Sequence, residues 1–240
     1  MWPFYKQSSL IDSGILNGYT DYHSHILPGV DDGIQTLKES LEALDRMEEW
    51  GVSTLWLTPH IMEDIPNTTE HLRERFKELK ATYTGKIELH LAAEYMMDNL
   101  FEERLKQKDL LPLGESGSHL LVETSYFNPP IDLYSTLEQI KQQGYHPLLA
   151  HPERYTYMDE KDYLKLKERH IKFQLNLLSL AGMYGKTVQK KATFLIKKGM
   201  YDASGTDIHA LHSFNKAATS RFYNSLYSRL ASKQGQAFRI

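Results

Sequence analysis

Imidazoles and carboxylates recur in this chain at spacings that could hold metal ions. His23-Ser-His25 and Asp207-Ile-His209 each place two ligand-type side chains two residues apart. On an extended segment residues i and i+2 project from one face, so each pair can reach a common centre. Thr58-Pro-His60, Ala93-Glu94-Tyr95, Val122-Glu123-Thr124 and Ala150-His151-Pro-Glu153-Arg154 offer further nitrogen and oxygen donors. Glu94 and Glu123 interrupt apolar runs, where a carboxylate is costly unless it is paired or bound to a cation. Imidazole and carboxylate without sulfur suit zinc, manganese or iron. Carboxylates can also bridge two ions, and ions about 3.5–4 Å apart clamp the attacking and leaving oxygens of a phosphoryl centre.

A single histidine near a strand end is more often a surface or core residue than a ligand. That ordinary reading fits His71, His90, His119, His146, His170 and His212, which have no partner at ligand spacing. Asp31-Asp32-Gly33, taken alone, reads as a turn leading into a helix.

These residues need elements that bring them to one place. Seven runs have strand character: Tyr19–His23, Thr54–His60, Ile87–Tyr95, His119–Ser125, His146–Pro152, Ile171–Leu180 and Met200–Asp207. Most are apolar, as in strands buried on both faces; the first and last are polar and rest on their position. Between them lie amphipathic patterns. Leu37, Leu41, Leu44 and Met47 form one stripe within Thr36–Trp50, with Thr36 and Glu39 as a capping box. Leu72, Phe76, Leu79 and Tyr83 form another in Thr69–Tyr83. A helix capped by Asp132 and closed by Gly144 follows, then Asp162–Arg169 and Lys186–Gly199. A last helix carries Phe214, Ala218, Phe222, Leu226 and Leu230. Alternation of this kind predicts parallel strands with helices outside, as a distorted (β/α)7 TIM-like barrel or a doubly wound sheet. In a barrel, the C-terminal strand ends share one rim, and ligand-type residues stand at or just after six of the seven. Residues 1–18 read as an N-terminal arm, and 19–240 as a single domain.

Composition narrows the chemistry. The 240 residues suffice for one barrel domain, with 41% hydrophobic and 25% charged residues. A net charge of −3 without a basic run disfavours tight binding to nucleic-acid backbones. With no cysteine, disulfides, thiolate metal sites and a cysteine nucleophile are all excluded. No signal peptide or membrane-length apolar run is evident, so a cytoplasmic location is expected.

The HxH start, Thr58-Pro-His60, Glu94, His151 and Asp207-Ile-His209 resemble the PHP (polymerase and histidinol phosphatase) superfamily. His23-Ser-His25-Ile-Leu-Pro-Gly-Val-Asp31-Asp32-Gly33 and Ala150-His151-Pro-Glu-Arg154-Tyr155 resemble more specifically its bacterial protein-tyrosine phosphatases of capsule and exopolysaccharide synthesis. The resemblance runs from about Thr20 to His209. It implies the barrel, with its metal site at the C-terminal ends of the strands, and a cluster of three divalent metals, usually manganese. It also implies a tyrosine kinase as protein partner, and phosphotyrosine hydrolysis by a metal-bound hydroxide without a cysteine nucleophile. By the same resemblance, His23, His25, Glu94 and Asp207 hold one metal. Glu94 bridges to a second with Glu123 and His151, while Asp32, His60 and His209 hold a third. Arg154 binds the phosphate, a task its planar fork suits. Two departures touch the substrate side. The last motif reads Gly-Thr-Asp-Ile-His-Ala, where relatives more often have Ser-Asp-Ala-His-Asn, and no arginine follows His209 closely. Alternative readings are a small-molecule phosphatase of the histidinol-phosphate type and a non-catalytic module with a structural metal. A nuclease is disfavoured by the charge.

Overall fold

Proline, glycine and capping side chains divide the chain into short strands that alternate, singly or in pairs, with helices. A computed structural model describes residues 7–223. After β1 (Gln7–Ser8), Leu10, Ile15 and Leu16 are buried in the main core, so this stretch packs into the domain. β2 (Tyr19–Ser24) leads to α1 (Leu37–Glu49), which Thr36 caps by accepting the Glu39 N–H, and which buries Ala43, Leu44 and Met47.

The second and third strands are each split in two. β3 (Val52–Leu57) stops before Thr58-Pro59, and β4 (His60–Ile61) resumes after it. Proline has no N–H for the ladder, and Thr58 gives its own to Ser24 O at 2.8 Å. Beyond α2 (Thr69–Thr82), β5 (Glu88–Leu91) and β6 (Glu94–Met96) flank Ala92-Ala93. α3 (Asn99–Gln107), capped by Asp98, has no counterpart in the helices read from sequence; Glu102, Glu103, Arg104 and Lys106 obscure its buried pair Phe101 and Leu105.

β7 (His119–Glu123), α4 (Leu133–Gln142) and β8 (His146–Ala150) follow, then a 3-10 turn at Pro152–Arg154. α5 (Glu160–Glu168) leads to β9 (Lys172–Asn176), which ends four residues earlier than expected. There the Asn176 side chain accepts the Leu178 N–H and starts α6 (Leu177–Leu180). After α7 (Gly185–Lys198) and β10 (Ala203–Gly205), the last helix, α8 (Leu211–Ala218), is shorter than its apolar spacing predicts. Phe222 belongs instead to β11 (Phe222–Tyr223), antiparallel to β1. Leu226 and Leu230 lie outside the described residues.

Two parallel sheets result, β2-β3-β5 and β4-β6-β7-β8-β9-β10. The split second and third runs join them on one side. On the other, Ser24 bridges to Ile208 in parallel, and Asp207 N–H donates to His23 O at 2.8 Å. This closes the seven positions into the expected distorted barrel. Trp56, Leu121, Leu148, Ala150 and Ala203 belong to the smaller of two apolar clusters. Period two along β7 puts Glu123 on the face of Leu121. Gly205 lets β10 approach β2: a Cβ there would stand 2.5 Å from that of His23. No described helix is long and apolar enough to cross a membrane.

Candidate metal centre

All nine predicted metal-ligand residues converge at the barrel rim, and so does Arg154. Three groups have ligand atoms within 4.8 Å of one another: His23, His25, Glu94 and Asp207; His60, Glu94 and Glu123; and His25, Asp32, His60 and His209. Glu94, at the start of β6, is central. Its Oε2 lies 3.0 Å from His23 Nε2, 3.3 Å from His25 Nε2 and 3.2 Å from His60 Nδ1. Its Oε1 lies 3.1 Å from His151 Nε2, which is 3.9 Å from Glu123 Oε2. Asp32, largely exposed, reaches His60 Nε2 at 3.5 Å and His209 Nε2 at 3.4 Å.

The protonation of two histidines follows from their partners. Asp31 Oδ2 accepts from His25 Nδ1 at 2.7 Å. Gln174 Oε1 accepts the His151 N–H, and Gln174 Nε2 donates to Leu175 O, which orients the amide. His23 Nδ1, 3.1 Å from that Oε1, is therefore the protonated nitrogen. In neutral rings both Nε2 atoms are then bare, and they face each other across 3.1 Å. Burial lowers the His23 pKa, but Glu94 and Asp207 outweigh it and raise it to about 9. A proton can serve one of these nitrogens, whereas two imidazolium N–H groups at that distance repel. A divalent cation satisfies both lone pairs and the carboxylates beside them. Glu94 Oε2 and His60 Nδ1, buried without a hydrogen-bond partner, fit the same explanation.

Asp207 sits at φ +52° and His151 at φ +32°, left-handed conformations unusual for residues other than glycine. Such strain tends to collect at functional sites. Asp207 Oδ2 accepts from Arg154 Nη1 at 2.6 Å and Asn176 Nδ2 at 2.7 Å. That leaves Oδ1 facing His23 and His25, each at 3.3 Å. The Arg154 guanidinium carbon lies 4.4 Å from the Tyr126 ring centre and 4.1 Å from that of Tyr184. Glu153 turns inward, accepting from Asn176 N, Ser179 Oγ and Tyr201 Oη, so it is a structural carboxylate and not the partner of Arg154.

Three positioning residues escaped the sequence reading. Gln174 and Asn176 come from the one strand without a ligand, where polar side chains two apart in an apolar run were the available signal. The third is Asp31, which the turn reading left without a role. Asp31 Oδ2 also accepts the His60 N–H at 3.0 Å, and Oδ1 accepts Gly33 N–H at 2.9 Å. Every partner is a donor, so an amide must turn its NH2 towards one of them. Asp31→Asn should weaken metal affinity about 10–100-fold, the usual cost of losing a group that orients a ligand; titration of chelated protein with manganese checks this. The six histidines read as ordinary lie in none of the ligand groups. His90 stacks on Trp56, and His119 contacts Lys172 and His146 at the strands' opposite ends.

The centre opens into a cleft of about 490 Å³, whose walls include Met62, Ile65, Met96, Tyr126, Arg154, Tyr184 and His209. Asp32, His60, Glu123 and Asp207 also line it, beside the apolar Leu178, Met183 and Ile208.

Comparison with known proteins agrees with this architecture. The chain is 28% identical over 201 residues to tyrosine-protein phosphatase YwqE of Bacillus subtilis (strain 168), covering 81% of this chain and 79% of that one. It is 28% identical over 206 residues to tyrosine-protein phosphatase CpsB of Streptococcus pneumoniae, covering 80% and 84%. Among solved structures it matches one described with YwqE from Bacillus subtilis and CpsB from Streptococcus pneumoniae as unique metal-dependent tyrosine phosphatases. The TM-score there is 0.78 at 23% identity, over 92% of this chain and 94% of that chain, which establishes a shared fold. Residues 19–229 match the family model described as "Capsular polysaccharide synthesis, CpsB/CapC", and the chain belongs to that family.

Proposed function

We propose that this protein hydrolyses phosphotyrosine in proteins, using divalent cations held at the barrel rim. What carries the reading is the convergence of two bare imidazole nitrogens and buried carboxylates below a cleft that also holds an arginine. We assign one cation to His23, His25, Glu94 and Asp207, a second to Glu94, Glu123 and His151, and a third to Asp32, His60 and His209. Manganese suits this nitrogen and oxygen donor set. When bound, such ions polarise phosphoryl oxygens and lower the pKa of water towards neutrality.

The chain's own groups position the rest. Asp31 and Gln174 keep His25 and His23 in the tautomers that aim Nε2 at the centre. Arg154, steadied by Asp207 and two tyrosine rings, has further N–H donors for a non-bridging phosphoryl oxygen. Without cysteine, no thiol can carry the phosphoryl group. The named activity of the relatives supports tyrosyl phosphate as substrate, their family supports a role in capsule synthesis, and we propose a tyrosine kinase as its bearer. Turnover of a phosphotyrosine peptide beside histidinol phosphate separates this from a small-molecule phosphatase.

Arg154 supplies the test. Arg154→Ala should retain metal, because Asn176 still holds Asp207 Oδ2, but lower kcat/KM on a phosphotyrosine peptide about 10²–10³-fold, as when a donor to transition-state charge is removed. Arg154→Lys keeps a charge near Asp207 but loses the fork and the ring contacts, so it should rescue stability more than activity. Metal content, Tm and peptide hydrolysis are the measurements. Wild-type hydrolysis by both variants would remove Arg154 from phosphate binding.

A further inference from the structure

Two apolar side chains in the loop that leaves the cleft at Tyr126 lack any cover. Among the described residues, Phe127 is 73% exposed and Ile131 is 101% exposed, the two most exposed large hydrophobic residues. Both stand in the loop that follows β7, on the rim that carries the candidate centre. The loop is continuous with the cleft: Tyr126 lines it, packs on Arg154 and immediately precedes Phe127.

The base of the loop is tied down. Thr156 donates to Tyr126 O through both its N–H and its hydroxyl, at 2.8 and 2.9 Å, joining the loop to the segment bearing His151 and Arg154. Its far end is held by buried Leu133 at the start of α4. Pro129-Pro130 stiffens the span between, so the apolar side chains are presented with little entropy left to lose on contact.

We propose that Phe127 and Ile131 form a docking surface for the polypeptide flanking the phosphotyrosine, favouring substrates with apolar residues within about two positions of it. This rests on the phosphatase reading above. Because Tyr126 packs on Arg154, a phosphate held by Arg154 lies beside the base of this loop, and consecutive Cα atoms are only about 3.8 Å apart. Phe127 is therefore within reach of the neighbouring side chains. Two side chains suit a short peptide; they fall far below the roughly 800 Å² per partner of a stable dimer.

The test compares wild type with Phe127→Ser/Ile131→Ser on two phosphotyrosine peptides, one with leucine and one with serine at the flanking positions. p-Nitrophenyl phosphate, too small to reach the loop, is the internal reference. The wild type should favour the leucine peptide about tenfold in kcat/KM, chiefly through KM. In the variant that preference should collapse while p-nitrophenyl phosphate turnover stays within about twofold. An equal preference in both proteins, or none in the wild type, would overturn the docking surface alone. An unchanged preference together with lost binding to anionic lipid vesicles would overturn it in favour of a membrane contact. Failure of the metal-loaded wild type to hydrolyse any of the three substrates would overturn the phosphatase reading, and the docking surface with it.

Discussion

Glu94→Gln should lower kcat/KM on a phosphotyrosine peptide by about 10³-fold or more, because several kcal/mol of metal-dependent stabilisation pass through this side chain. Among the described residues, Glu94 alone lies within 3.3 Å of His23, His25, His60 and His151. An amide of the same shape has one weaker donor oxygen and no charge, so metal occupancy should fall with activity. The fold should survive: the substitution removes a buried charge and gives the imidazole lone pairs an N–H to accept. Loss of turnover with a metal-free Tm at or above that of the chelated wild type would separate a ligand role from a structural one. His170→Ala, at a turn outside the ligand groups, should leave activity unchanged. Wild-type turnover in Glu94→Gln would sink the assignment of this centre.

Chelation should abolish hydrolysis, manganese should restore it, and thiol reagents should have no effect on a chain without cysteine. It should also change how stability depends on pH. In chelated protein the His23 imidazole has its pKa raised from 6.5 to about 9, burial being outweighed by Glu94 and Asp207. A raised pKa means the folded state binds the extra proton. That contribution is full below about pH 6.5 and is lost as pH rises through about 9. The Tm of chelated protein should therefore fall across that window. With metal bound, ligation takes the place of the proton, so the fall should be smaller and metal uptake should release protons. Calorimetry of both forms from pH 6 to 10 measures the difference; parallel Tm profiles would show that His23 is not at the metal. Full activity after exhaustive chelation would end the metal-dependent mechanism.

Much of this protein was legible in one dimension because its signals are local. Period-two pairs such as His23/His25 and Asp207/His209, and the alternation of apolar runs with amphipathic stripes, follow from the geometry of extended and helical chain. They were enough for parallel strands with helices outside and for ligand-type residues at six strand ends, while the closed barrel, Asp32 and Arg154 came from the family resemblance of the motifs. The absence of cysteine needed no structure either. What the sequence left open depends on contacts between distant segments. The roles of Asp31 and Asp32, adjacent and chemically alike, separate only when His25, His60 and Gly33 surround the first and leave the second facing His209. Gln174 and Asn176 are ordinary polar residues until closure sets them against His23, His151 and Asp207. Phe222 fitted a helical stripe, yet pairing with the N-terminal strand ended the helix before it. Local spacing shows which way a side chain points; only packing decides what it meets, and the partners here lie as many as 185 residues apart.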